Sequence, residues 1–257
     1  MPNLYAQYLQ TMGIDIWVQR HAVALESAHH HATIIIDESI TPQEDKTLMP
    51  ETEITQAVSL PEEKTFDQTT WETLQQQVAS CTACELCHSR TQTVFGSGNP
   101  QADLMIVGEA PGADEDAKGL PFVGRAGKLL DSMLYAIDLP REEIFIANIL
   151  KCRPPNNRNP TPDEKHCCTP FLKQQIALIK PKIILALGAV ASNYLLNCDV
   201  KIGELRRQAH RQLFTYEETG IPLLPTYHPA YLLRSPKQKR AAWQDLQLAR
   251  QTFNKQI

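Results

Sequence analysis

The sequence has no long apolar run, and no stretch approaches the roughly 18 residues that a membrane-spanning helix requires. It also lacks a leader pattern, because MPNLYAQYLQ has no basic segment followed by an apolar one. The expectation is a cytoplasmic protein with no membrane partner. Basic residues are scarce early in the chain. Residues 1–79 hold 12 Asp and Glu against 3 Lys and Arg, a balance of −9, whereas residues 80–257 stand at +5. The net charge of −4 therefore joins an acidic extension to a mildly basic body, which permits a nucleic-acid partner without demanding one. From Asp37 to Asp67 acidic residues, prolines and threonines dominate. Such a segment buries too little apolar surface to offset the entropy of ordering it, so residues 21–70 read as a disordered linker. The run His29–His31 lies within it and reads as solvated.

Order is expected from about residue 71. Trp71, Leu74 and Val78, three and four apart, predict a helix capped by Asp67 or Thr69. Short buried strands are expected at 104–107, 144–148, 183–187 and 223–226. Helices are expected around 126–137, 162–179, 189–196 and 237–253, with a hairpin or loop at 201–220. Strands alternating with helices predict an α/β fold, a three-layer α/β/α arrangement around a four-stranded parallel sheet. The chain thus divides into an extension at 1–70 and a folded domain at 71–257. Sheets of this kind bind ligands beyond the C-terminal ends of their strands. Here those ends read GEAPG, NILKC, LGAVA and TYHPAYLLR.

The stretch from Asn148 to Cys168, NILKCRPPNNRNPTPDEKHCC, stands out. Between Cys152 and Cys167 it crosses four prolines and three asparagines, a composition that predicts loop. There are seven cysteines: Cys81, Cys84, Cys87, Cys152, Cys167, Cys168 and Cys198. In a reducing compartment such thiols bind metal more often than they pair as disulfides. A CxxC pair with two distant cysteines suits four thiolates around zinc or a [4Fe–4S] cluster. The distant pair is 15 or 16 residues from Cys152, wider than a zinc ribbon, which leans toward the cluster without separating the two.

At CTAC, VFGSGNP, VGEAPGADED, GLPFVGRAGKLLDSML, NILKCRPPNNRNPTPDE, PKIILALGAVA and TYHPAYLLR the sequence resembles the iron–sulfur (family 4) uracil-DNA glycosylases. The motifs run in the family's order over about residues 75–250. The resemblance implies the uracil-DNA glycosylase fold and a [4Fe–4S] cluster on Cys81, Cys84, Cys152 and Cys168, chosen over Cys167 by motif position. It leaves Cys87 and Cys198 without a role. It implies removal of uracil from single- and double-stranded DNA in base excision repair. A flipped-out base must be held in a pocket before its glycosidic bond is hydrolysed. The resemblance places uracil on Gly108, Glu109, Ala110, Phe122, Asn148 and His228. Phe122 would stack on the base, and the Asn148 amide would match its O4 and N3–H edge. His228 would donate to O2 as negative charge grows there, and Glu109 would position water. Glu115 is a candidate pocket wall that would exclude thymine.

Residues following the histidine suit contact with DNA. Leu232, Leu233 and Arg234, with Tyr231, read as an apolar wedge beside a basic group. Arg153 and Arg158, together with Arg206, Arg207 and Arg211, are phosphate candidates. The rival expectation is a non-catalytic DNA-binding module on the same fold, recruited by its N-terminal tail. Within residues 1–20, LQTMGIDIWVQR resembles the N-terminal peptide by which the psi subunit of bacterial DNA polymerase III holds its chi partner. That implies a replication-protein partner for the tail of a monomeric enzyme.

Overall fold

The hydroxyl of Thr70 accepts the Thr73 N–H at 3.2 Å. Thr70, rather than Asp67 or Thr69, thus caps helix α1 (Trp71–Ala79). The computed structural model describes residues 70–256. The readings of the linker, the histidine run and the partner peptide lie outside the described residues.

After α1 come α2 (Leu86–Ser89), β1 (Ser97–Gly98), β2 (Leu104–Gly108), α3 (Ala113–Lys118) and α4 (Arg125–Tyr135). Then follow β3 (Phe145–Asn148), α5 (Pro162–Ile179), β4 (Ile183–Leu187), α6 (Gly188–Leu195) and α7 (Ile202–Ala209). The chain continues through β5 (Phe214–Tyr216), β6 (Ile221–Thr226) and α8 (Pro229–Arg234) to α9 (Lys239–Gln256).

The strands form one sheet in the order β1-β3-β2-β4-β6-β5. The central β3, β2, β4 and β6 are parallel, and the edge strands β1 and β5 are antiparallel. The four-stranded parallel core matches expectation, but the sheet has six strands. The two added edges are two and three residues long, too short to show an alternating pattern. Residues 201–220 supply α7 and β5, and the chain turns at Gly220, φ +72°, to pair β5 with β6 as a hairpin. Ile202, Leu205 and Ala209 carried the helical spacing of α7.

Side chains that alternate along the strands build two cores. Leu104, Ile106, Ile146, Leu185 and Leu224 face α4 and α9, meeting Leu130, Met133 and Leu246. Met105, Val107, Ala147, Ile184 and Leu223 face the opposite layer, meeting Leu172 and Ile176 of α5 and Ala191 of α6. These are the three layers. Ile106 and Leu185 are fully buried, and truncating either to alanine costs about 2–5 kcal/mol.

The Pro/Asn loop ends at Thr161, where the helix expected at 162–179 begins. Helix α5 starts at Pro162, where a missing N–H costs nothing. A capping box secures the start: the Thr161 hydroxyl accepts the Glu164 N–H at 3.2 Å, and the Glu164 carboxylate accepts the Thr161 N–H at 2.8 Å. Cys167 and Cys168 are therefore helical, and the helix holds them in a set orientation.

Candidate active site

Parallel strands align their C-terminal ends, and here that edge gathers the polar chemistry. Gly108 ends β2 and lies opposite Asn148, the last residue of β3. A Cβ on Gly108 would sit 2.3 Å from Asn148 Oδ1 and 2.8 Å from Phe122 Cζ. Only glycine lets the amide and the ring close over the same point of backbone. Asn148 is 2% exposed, and its Oδ1 has no hydrogen-bond partner. A buried, unpaired acceptor costs about 1–3 kcal/mol.

Phe122 is held in a left-handed conformation, φ 53°. Its carbonyl accepts an N–H of Arg141 at 3.1 Å, and the second Arg141 nitrogen donates to the Pro121 carbonyl. Its ring lies 5.6 Å from that of His228, tilted by 33°. The Glu115 carboxylate joins the two loops beside this pair. It accepts the N–H groups of Gly112, Val123 and Gly124 at 3.1, 2.9 and 3.1 Å. Glu115 thus staples GEAPG to the FVG turn.

His228 follows β6 and caps α8. Its Nδ1 accepts the Ala230 N–H at 3.1 Å, which leaves the proton of the neutral ring on Nε2. Burial, aided by the positive charge of Arg234, lowers its pKa to about 4. At neutral pH the group is an uncharged N–H donor. Gly188, after β4, has φ +89°, and a Cβ there would come within 3.0 Å of the His228 Cβ. All four parallel strands therefore contribute. Glu109, next to Gly108, has its carboxyl pushed up by burial, with Lys165 opposing the shift. Ala110 is half-buried against the α5 side of the sheet.

A second feature lies alongside. Cys81, Cys84, Cys87, Cys152, Cys167 and Cys168 line one cavity. Cys198 stands apart, its thiol within 3.5 Å of Asn193 Oδ1. Arg90 donates to Cys152 Sγ at 2.9 Å and to the Cys81 carbonyl at 2.7 Å. The Lys151 N–H donates to Cys168 Sγ at 3.2 Å. Such donors favour thiolate, yet burial pushes Cys168 up to about 12 and raises Cys84 and Cys152. Bare thiols here would stay protonated, and a cationic group would remove that penalty. Among the described residues, no three Cys, His, Asp or Glu side chains converge to hold a single metal ion. Six thiols around one cavity are more than the four that either zinc or a [4Fe–4S] cluster takes. Cys168 is buried and Cys167 half-buried, but both reach the cavity. Cys87, given no role from sequence, reaches it too.

Two DNA-contact readings change, those of Leu232 and Arg206. Leu232 is fully buried in the α4/α9 core, because helical spacing turns it inward between exposed neighbours. Tyr231 and Leu233 are the exposed apolar side chains of α8, beside exposed Arg234. Arg158 forks onto Glu164 at 2.8 and 2.5 Å, and Arg153 donates to Asn157 Oδ1 at 2.8 Å. Arg206 is 6% exposed and ion-paired to Asp245, so it is not a phosphate contact.

Sequence reasoning missed Lys151. Its buried Nζ donates to the Asn148 carbonyl at 2.8 Å and to Gln175 Oε1 at 2.7 Å, and burial lowers its pKa to about 8. The signal available was a lysine between the apolar pair Ile149 and Leu150 and the cysteine Cys152.

The model of the uracil DNA glycosylase superfamily matches residues 95–247. The chain is 42% identical over 186 residues to a type-4 uracil-DNA glycosylase of Sulfurisphaera tokodaii, covering 70% of this chain and 83% of that one. It is 42% identical over 188 residues to the type-4 enzyme of Thermotoga maritima, covering 72% and 95%. A type-5 uracil-DNA glycosylase of Thermus thermophilus is 31% identical over 153 residues, covering 52% and 68%. With the strand-end site and the thiol cavity, these matches show that the chain belongs to the uracil DNA glycosylase superfamily, in its type-4 group.

Proposed function

We propose that this protein is a monofunctional uracil-DNA glycosylase of base excision repair. It hydrolyses the N-glycosidic bond of flipped-out deoxyuridine, releasing uracil and leaving an abasic site. The observation that carries the reading is the unpaired Asn148 Oδ1 held against the Phe122 ring. Uracil offers N3–H to that acceptor and a flat face to that ring. Cytosine has no N3–H, so it would leave the acceptor unpaired.

As the bond to the sugar lengthens, uracil takes on negative charge. His228 meets it as a neutral donor through Nε2–H, fixed in direction by the bond at Nδ1. Preorganised donors need no reorganisation as charge develops, and one is typically worth about 10²–10³ in rate. The sugar becomes electron-poor, and the Glu109 carboxylate is the group we assign to orient water toward it. Gly108 and Ala110 shape the loop around the base. Glu115, with three backbone donors, fixes the loops as it walls the pocket.

Cys81, Cys84, Cys152 and Cys168 hold a [4Fe–4S] cluster, which ties residues 81–87 to the 152–168 segment. Its purpose is structural, and Lys151 links that segment to Asn148. Cys168→Ser should release most of the iron and the absorbance band near 400 nm, while Cys167→Ser should keep both. The reverse result would reassign the ligand.

Residues 1–70 are an extension whose first 20 residues bind a replication protein, and the enzyme works in the cytoplasm as a monomer. Substrate is uracil-containing DNA, single- or double-stranded, with Leu233 and Arg234 against it. The intact site counts against a non-catalytic module. Purified protein should leave alkali-labile sites at uracil in oligonucleotides. A folded, iron-loaded preparation that leaves none would end the reading.

A further inference from the structure

Lys151 and Gln175 are the two buried polar side chains nearest Asn148 that the reaction does not use, and they fill a break in the sheet. β1 pairs with β3 at Ser97↔Ile146 and Gly98↔Phe145. Continued, that register would set Phe95 opposite Asn148. The pair does not form, because the Val94 N–H donates instead to the Lys151 carbonyl at 2.7 Å, beyond the end of β3. The Phe95 and Asn148 carbonyls are left facing the break.

Side chains bridge it. Gln175 of α5 donates through Nε2 to the Phe95 carbonyl at 2.9 Å. Its Oε1 accepts Lys151 Nζ at 2.7 Å, and Lys151 Nζ donates onward to the Asn148 carbonyl at 2.8 Å. Gln175 is 0% exposed and Lys151 2%. A line of three hydrogen bonds thus stands where the missing strand pair would have been.

An ammonium is a costly way to fill that space. Both of its hydrogen-bond partners are neutral oxygens, and burying a charge is expensive unless it is paired. A methionine would pack a similar stem without charge. What the ammonium adds is direction. The peptide that follows Asn148 is gripped at both ends, its carbonyl by Lys151 and its N–H, that of Ile149, by the Gly108 carbonyl at 3.0 Å. A fixed backbone fixes the Cα–Cβ bond, and with it the place of the side-chain amide. Tolerance there is small, since Asn148 Oδ1 lies 2.3 Å from where a Gly108 Cβ would stand. Hydrogen bonds weaken steeply with misalignment, so an acceptor that drifts at this point reads its ligand poorly.

We infer that Lys151 and Gln175 are positioning residues that hold the Asn148 amide against the edge of the base. They set the affinity for uracil itself and leave affinity for the DNA backbone alone. The inference rests on the glycosylase reading.

The test uses the full-length, iron-loaded protein and single-stranded oligonucleotides. Uracil release is followed in single turnovers. Binding is measured to two uncleavable strands, one carrying 2′-fluorodeoxyuridine and one an abasic analogue with no base to read. Lys151→Met should slow release about 10-fold and weaken binding of the fluorinated strand about as much, with abasic affinity unchanged. Gln175→Met leaves the Lys151–Asn148 bond in place and should do the same to about 3-fold. In an Asn148→Ala background either change should slow release by less than about 2-fold, because the amide it positions is gone. A role confined to the cluster or to general stability would keep its full factor in that background and weaken both strands alike. Gln175 lies two turns beyond Cys168 on α5, so its cycle decides the matter if Lys151→Met sheds iron. Full additivity with Asn148→Ala, equal weakening of both strands, or no effect of either variant overturns the inference and leaves the glycosylase reading intact. Absence of uracil release by the unaltered protein overturns both.

Discussion

Asp245 and Asn148 are both polar and almost completely buried, at 1% and 2% exposure, yet they are treated in opposite ways. The Asp245 carboxylate has partners on Arg206, His210 and Thr226. The Asn148 Oδ1 has none. A saturated buried group stabilises the arrangement it sits in, whereas an unsatisfied one stores a deficit that a ligand can repay. His228 stands between them, with one ring nitrogen engaged by Ala230 and the other the proposed donor to uracil.

The comparison is sharpest in stability. Asp245→Ala leaves the Arg206 cation buried without its partner and should cost about 3–5 kcal/mol, measured by chemical denaturation. Asn148→Leu removes a deficit and should leave stability unchanged or raise it by about 1 kcal/mol. If Asn148→Leu destabilises as much as Asp245→Ala, the amide is structural and the comparison fails.

Rate should reverse that order. His228→Ala should lower single-turnover uracil release about 10²–10³-fold. Asn148→Ala should lower it about 10–100-fold, consistent with one lost buried hydrogen bond of about 1–3 kcal/mol. Both should stay folded with iron retained. A variant that keeps full rate would remove its residue from the reacting centre.

Acid tests the half-satisfied member. The unfolded His228 takes up its proton near pH 6.5, the folded one only near pH 4. Its contribution is therefore fully present above pH 6.5 and is lost as the pH falls to 4, a loss of up to about 3 kcal/mol. His228→Gln should flatten the stability profile across that window. An unchanged profile would mean that the imidazole is solvated. Glu115→Gln is the smallest change. It keeps one of the two acceptor oxygens, so it loses the charge and at least one of the three N–H bonds, and should cost about 1 kcal/mol with little effect on rate from a saturating single-stranded substrate.

Local periodicity carried most of the fold. The strands at 104–108 and 183–187 and helix α5 are runs long enough to announce themselves. β1 and β5 are too short to do so, and they form because a neighbouring strand offers unpaired backbone groups. At the site, the family resemblance named Asn148 and His228, and the strand ends put both on one edge of the sheet. Leu232 was misread because one turn of helix cannot reveal which side faces the core. Arg206 was misread because its partner lies 39 residues away. Lys151 was overlooked because a lysine ordinarily signals the surface, and here it is buried against the Asn148 carbonyl and Gln175.

The residue pattern alone was enough for the alternation of strands and helices and for the family. These depend on neighbours in the chain, or on residue types rare enough to mark themselves. Folding had to decide which buried polar atoms found partners, since that depends on groups brought together from distant positions. It also decided that Cys87 and Cys167 share the cavity with the other four cysteines. The deficit at Asn148 is invisible in sequence for the same reason: an unpaired oxygen is a property of what surrounds it.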